Sequence, residues 1–321
     1  MKSKIIFEWL SWILFSLVMF TGGMYFALAA PFIILLAPVP FMLLEIKQGL
    51  REALLGVLFG TVITFVLFGS FAAFMYALEF GILGVVFGYI LSKSQNGIDF
   101  ILMAIAASIT AKIILLVTFT GLSGMNPFTM QPEAATEIVS ALARKLSSSG
   151  IGSSDEIVKN YSTMMVETVS LLMPSMIIFF SAIDTFATYG VVAYLIRRSG
   201  AKPLVSMPKF ETWRFPKNLF WALAAAVIMD LGSKAFPDAR VYTVISANLM
   251  EVLRATFMLE GLSLCWFYMS SRGTKRAIKV IFSLFCVLFS PASYILSMVG
   301  IFDIWYDLRT KIRRKNNESN S

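Results

Sequence analysis

The sequence has no histidine and only two cysteines in 321 residues. Without imidazole there is no His-based acid–base pair, no Ser-His or Cys-His nucleophile and no His metal ligand. Cys265 and Cys286 both lie in apolar stretches and read as small core residues, not as a disulfide framework or a metal site. Charge is scarce too, at 14% of residues. Also missing are a Gly-x-x-x-x-Gly-Lys phosphate loop, a His-Glu-x-x-His, an Asp-rich diphosphate motif and a Gly-x-Ser paired with a distant His. Glu251-x-x-Arg254 lacks the histidines of a protease centre. The chain is therefore expected to be no enzyme and to hold no cofactor, and any ATP-derived energy must come from a partner.

What is present is apolar surface. Hydrophobic residues make up 58% of the chain and the mean hydropathy is +0.77. Residues 9–30, 71–91, 98–121 and 219–232 are too long or too apolar for ordinary core helices, and about 20 apolar residues cross a ~30 Å hydrocarbon layer. The expected fold is all-α, a polytopic transmembrane helix bundle of about eight spans plus a Pro-broken last segment. Helices are placed at 8–30, 31–44, 52–69, 71–91, 98–121, 168–196, 216–232, 240–269 and 279–301. The second is short and carries Pro31, Pro38 and Pro40, so it must cross as an irregular segment packed against protein. The first run is too long for a signal-peptide core, which predicts an uncleaved first helix.

The +8 net charge is distributed over short loops, which points to anionic lipid and not to nucleic acid. Arg197, Arg198, Lys202, Lys209, Arg214 and Lys217 face one acid, Glu211, in the 197–217 loop; that loop and the basic 272–279 turn are expected in the cytoplasm. The acidic 122–168 connection belongs outside. Counting spans back puts the N-terminus, with Lys2 and Lys4, inside a bacterial cell membrane. The basic tail 309–315 also calls for the inside, yet one apolar segment separates it from 272–279. A break at Ser290-Pro291 into a re-entrant hairpin would reconcile the two.

Ionisable groups in a bilayer cost roughly 2.5–3.5 kcal/mol each on insertion scales, so they are expected to face partners or a cavity. Glu79 and Lys112 lie at similar depths below the outer ends of antiparallel neighbours and are expected to pair. Asp184 and Arg254 give a second depth match, with Glu251 one turn from Arg254 and Glu260 nearer the inner face, a buried charge network between helices. Gly56-x-x-x-Gly60 and Gly84-x-x-x-Gly88 read as close backbone contacts. In the outer connection, Pro132 opens an amphipathic helix through 133–146, a Gly/Ser linker follows, and Ser153-x-x-Glu156 is a capping box for a helix running into the sixth span, kinked before Pro174. Residues 126–167 read equally as a lid over an outward cavity or as a segment resting on the membrane.

Residues 31–94 carry the proline-led short helix, the basic turn Lys47-Gln48-Gly49, the Gly-spaced third helix and Gly84-Val-Val-Phe-Gly88-Tyr-Ile-Leu. This stretch resembles the substrate-binding subunits of energy-coupling-factor vitamin transporters and the MreD cell-shape proteins. The C-terminal stretch has Asn248-Leu249, Glu260-Gly261-Leu262-Ser263-Leu264, Ser290-Pro291 and Gly300-Ile-Phe-Asp303-Ile-Trp-Tyr-Asp307-Leu-Arg309. It resembles the ending of the YybS-type family of bacterial membrane proteins. The resemblance implies a six-helix substrate-binding-subunit-like core over 1–197, including the 126–167 lid. A basic cytoplasmic loop at 198–217, further transmembrane helices over 218–308 and a basic tail at 309–321 then follow. Gly23-x-x-x-Ala27, which has the form of the subunits' partner-docking contact, lies near the outer end.

Two functions follow from these readings. In the first the chain is a solute-binding transport subunit, with Glu79, Lys112 and Asp184 contacting a small-molecule ligand and an ATPase or other membrane partner supplying energy. In the second it is a scaffold, whose 197–217 loop and 309–315 tail recruit envelope-assembly or signalling proteins while Glu251, Arg254, Glu260 and the other buried charges only hold helices together.

Overall fold

The computed structural model describes residues 2–26, 28–124, 155–199, 205–236 and 240–312, and among them every regular element is helical. The chain forms two compact units, Met1–Met130 with Met176–Met207, and Gln131–Ser175 with Pro208–Ser321. The expected lid at 126–167 falls outside the described residues except for its last helical turns.

The first unit contains α1 (Lys2–Tyr25), α2 (Ala30–Leu36), α3 (Val39–Gln48), α4 (Leu50–Phe68), α5 (Ser70–Lys93), α6 (Gly97–Ser123) and the C-terminal part of α7 (Asp155–Arg198). The second predicted segment is indeed broken. α2 and α3 meet at Pro38, and the Met42 N–H donates to the Pro38 carbonyl at 3.0 Å to restart the helix. Single glycines join α3 to α4 and α4 to α5: Gly49 at φ +94° and Gly69 at φ +86°, a left-handed region closed to most side chains. Asn96 caps α6 by accepting from the Asp99 N–H at 2.9 Å.

Backbone contact, as the glycine spacing predicts, sets how these helices pack. A Cβ on Gly84 would lie 2.8 Å from the Phe41 Cβ, and one on Gly88 would lie 2.8 Å from the Glu45 Cβ, so α5 rests directly on α3. Gly60 leaves room for the Tyr76 ring, whose hydroxyl shares a 2.6 Å hydrogen bond with Ser16. Apolar clusters around Met42, Phe87, Phe100 and Val192, and around Ile13, Phe41, Leu44 and Tyr76, fill the interior. The outward side chains are apolar too, among them Phe7, Leu14, Val66, Leu102 and Val117, the surface a lipid solvent requires.

The second unit contains the N-terminal part of α7, a 3₁₀ turn (Phe210–Thr212), α8 (Leu219–Ala235), α9 (Arg240–Ser271), α10 (Arg276–Leu288) and α11 (Ser290–Tyr306). Pro174 interrupts the α7 ladder. Asn248 repairs it: its Oδ1 accepts from the Ser175 N–H at 2.8 Å and its Nδ2 donates to the Leu171 carbonyl at 2.7 Å. α9 and α11 approach backbone to backbone where Gly300 faces Phe257 and Gly261 faces Leu296.

α10 and α11 are bent by 105° across Phe289, with Pro291 in the first turn of α11. Lys279 near the start of α10 donates to Ser270, and Ser283 one turn later accepts from Trp266. At the start of α11, Ser293 and Ser297 contact Arg254, whereas Arg309 beyond its end reaches Glu260 and Ser263. The pair therefore enters from the Ser270 end of α9, reaches the level of Arg254, and returns toward the end it came from. That folded-back geometry is the one a re-entrant hairpin needs, and a broken span has the same bend.

Among the described residues six helical stretches are long and apolar enough to cross a membrane, seven if α10 and α11 count as one span. The sequence reading had about eight. The difference lies in α8, only 17 residues long, and α9, which carries Glu251, Arg254 and Glu260 along its middle.

Candidate functional site

Lys112 on α6 makes an ion pair, but with Asp184 of α7 and not with Glu79. Its ammonium also donates to the Ser108 hydroxyl at 2.8 Å, and that hydroxyl donates to Asp184 Oδ2 at 2.9 Å. Thr185 supplies a further donor to Asp184 Oδ1 at 3.3 Å. The carboxylate is 4% exposed and fully hydrogen-bonded, so this triad holds α6 to α7 as an interhelical salt bridge.

The expected pairings Glu79–Lys112 and Asp184–Arg254 are both corrected for one reason. Depth counted from the outer ends of the apolar spans takes 168 as the level of α7, whereas the helix runs on from Asp155, as the capping box at Ser153-x-x-Glu156 predicts. Counted from the opposite ends, Gly97, Arg198 and Lys93, the distances agree: 112 − 97 = 15, 198 − 184 = 14 and 93 − 79 = 14 residues. At ~1.5 Å per residue the three charges share a level. Arg254 lies in the other unit.

Glu79 is the group left over. It sits in a π-helical segment, Tyr76–Ile82, inside α5, a widened turn of the kind found at functional sites. Its Oε1 is buried without a hydrogen-bond partner. Glu79 and Lys112 both line a cavity of about 420 Å³. Its walls are otherwise apolar, with Phe20 and Gly23 from α1, Ile33 from α2, Phe71 and Phe80 from α5 and Leu115 from α6. It lies at the end of the unit where α1 ends and α5 begins. A larger hollow of about 550 Å³ runs between α1 and α4, but it is walled by outward apolar side chains such as Leu58 and Val62, and its one charged wall residue is Glu52. A lipid tail suffices to cover it.

The remaining charges fall into two groups where one network was expected. Arg254 binds Glu251 on its own helix, donates to Ser293 at 3.3 Å and lies over the Tyr294 ring. Glu260 belongs elsewhere, in a cluster with Arg309 and Asp303 whose side chains are 2–3% exposed. Arg309 binds both carboxylates at 2.9 Å and the Glu211 carbonyl at 2.9 Å. Glu260 Oε2 accepts from the Phe215 N–H. Asp307, in the left-handed region at φ 46°, turns the chain back toward this site, and the Arg214 guanidinium holds its carboxyl down at about 2.

Sequence reasoning missed Arg309, read as part of an exposed basic tail, and Asp303. The signal was an acid inside an apolar run with a base six residues later. Glu45 was missed as well. It is 6% exposed on α3, against Gly88, with an unpartnered Oε2. Cys286 is buried and Cys265 half-buried, and both are free thiols. Among the described residues no group of three or more metal-ligating side chains converges.

The family described as "Predicted membrane protein (DUF2232)" matches residues 13–304 of the chain. No curated protein and no solved structure matches.

Proposed function

Because the chain belongs to the DUF2232 family of predicted membrane proteins, we propose that it is a multi-pass membrane protein that binds a small molecule in the cavity between α1, α2, α5 and α6. The role is one of binding and not of catalysis, as in the substrate-binding subunits its N-terminal part resembles. The single observation behind this reading is Glu79. A buried carboxyl oxygen without a partner is unfavourable by about 1–3 kcal/mol or more, and here it faces an apolar cavity of ligand size. The Lys112–Asp184 pair is reassigned from ligand contact to support: it fixes α6, which carries one wall.

The full chain, purified from native membranes in mild detergent, is expected to retain a stoichiometric small molecule detectable by mass spectrometry. Leu115→Trp, which fills the cavity from α6, should release it without unfolding the protein. An empty cavity together with co-purifying envelope-assembly or signalling proteins would replace this reading with the scaffold.

A further inference from the structure

The charge balance around the cavity is incomplete. Two carboxylates, Glu79 and Asp184, share its level with one base, Lys112, and that base is committed to Asp184 and Ser108. The Oε1 of Glu79 is left without a hydrogen-bond partner, so ionised or protonated, this atom makes no bond to the wall. Aromatic rings, Phe20, Phe71 and Phe80, line the same cavity, the first and last packed edge to face at 5.6 Å between centroids. Phenyl faces attract cations, most strongly where water is excluded. The rest of the wall is aliphatic and takes an apolar body.

We infer that the ligand is an organic monocation, a protonated primary amine on a compact apolar body, with its ammonium on Glu79 and its body among the phenylalanines. The inference rests on the small-molecule reading above. A neutral ligand would leave the carboxylate unbalanced, and an anion would add a second uncompensated charge. An ammonium supplies the missing charge and the missing N–H donors together. The free amine of a soluble metabolite and the amine of a lipid headgroup share this chemistry.

The test uses the full chain in phosphatidylglycerol nanodiscs, which contain no lipid amine, with binding to empty nanodiscs subtracted. Equilibrium dialysis compares 4-phenylbutylamine with 4-phenylbutanol and 4-phenylbutanoate. The amine should bind saturably and best. Glu79→Gln should weaken it by about 10–100-fold, the range of a hydrogen bond to a charged group, and leave the alcohol unchanged. Where Glu79→Gln does not fold, Glu79→Asp serves: it keeps the charge but shortens its reach, and should weaken the amine and spare the alcohol. Competition by added phosphatidylethanolamine would support the assignment and identify the lipid headgroup as the source. Equal binding of the alcohol or acid, or amine binding that survives Glu79→Gln, would overturn the cation and leave the cavity as a neutral binding site. Failure of all three probes would overturn it as well, while a retained molecule lost in Leu115→Trp would keep the cavity reading intact.

Discussion

At the scale of single residues, the Lys112–Asp184 pair separates structural charge from functional charge. Removing one partner of a buried pair leaves the other uncompensated at about 3–5 kcal/mol, whereas replacing both by apolar groups is often neutral. Lys112→Met should therefore lower the melting temperature sharply in detergent, and Lys112→Met with Asp184→Leu should recover most of the loss. Glu79→Gln should leave stability unchanged or raise it, since no partner is lost. If Lys112→Met were as stable as wild type, the pair would not be holding α6 to α7. That these three residues belong to one region was legible from their expense in a membrane. Their pairing was not, because it depends on where the membrane level falls along α7, and one unbroken helix from Asp155 to Arg198 carries no mark of that level.

At the scale of elements, two contacts decide whether the second unit closes. Asn248→Ala would strand the Ser175 N–H and the Leu171 carbonyl beside Pro174, each worth roughly 1–3 kcal/mol. Asn248→Asp keeps the acceptor but sets a carboxylate oxygen against the Leu171 and Val244 carbonyls, and should cost at least as much. Gly300→Ala would place a methyl on the Phe257 carbonyl oxygen and should destabilise by about 1–3 kcal/mol or more. Gly190→Ala, with nothing within 4 Å, is the matched control and should be silent. Thermal unfolding of purified variants checks all four, and a silent Gly300→Ala would mean that α9 and α11 do not touch there. The sequence announced the first unit's glycine contacts through their four-residue spacing within single helices. Gly261 and Gly300 lie 39 residues apart on separate helices, so no local period could connect them. The π-helical segment was equally hidden: nothing in Tyr-Ala-Leu-Glu-Phe-Gly-Ile departs from an α-helical pattern.

At the scale of the whole molecule, the folded-back course of α10 and α11 sets which surfaces share a side. Single cysteines at Thr274 and Ile312, on a chain with Cys265 and Cys286 changed to Ser, should label with an impermeant maleimide from the same side of sealed vesicles. The positive-inside rule predicts that this side is the cytoplasmic one. Labelling from opposite sides would mean that α10 and α11 together span the membrane. That the chain is a bundle of apolar helices was readable from composition and run length, though not how many of them are long and apolar enough to span. Their division into two units was not, since it follows from contacts between residues such as Glu260 and Arg309, 49 positions apart.

Arg309 also sets an order of events during synthesis. Glu260 and Asp303 emerge from the ribosome before Arg309, the cation they share among the described residues, so until it follows, two carboxylates sit in an apolar segment without that counter-charge. An interrupted chain would present that unbalanced segment to the membrane's quality-control proteases, and a finished one would not. The guanidinium just beyond α11 is therefore expected to close the second unit only after residue 309 has been made, and proteolysis of chains stopped before and after that codon would check it.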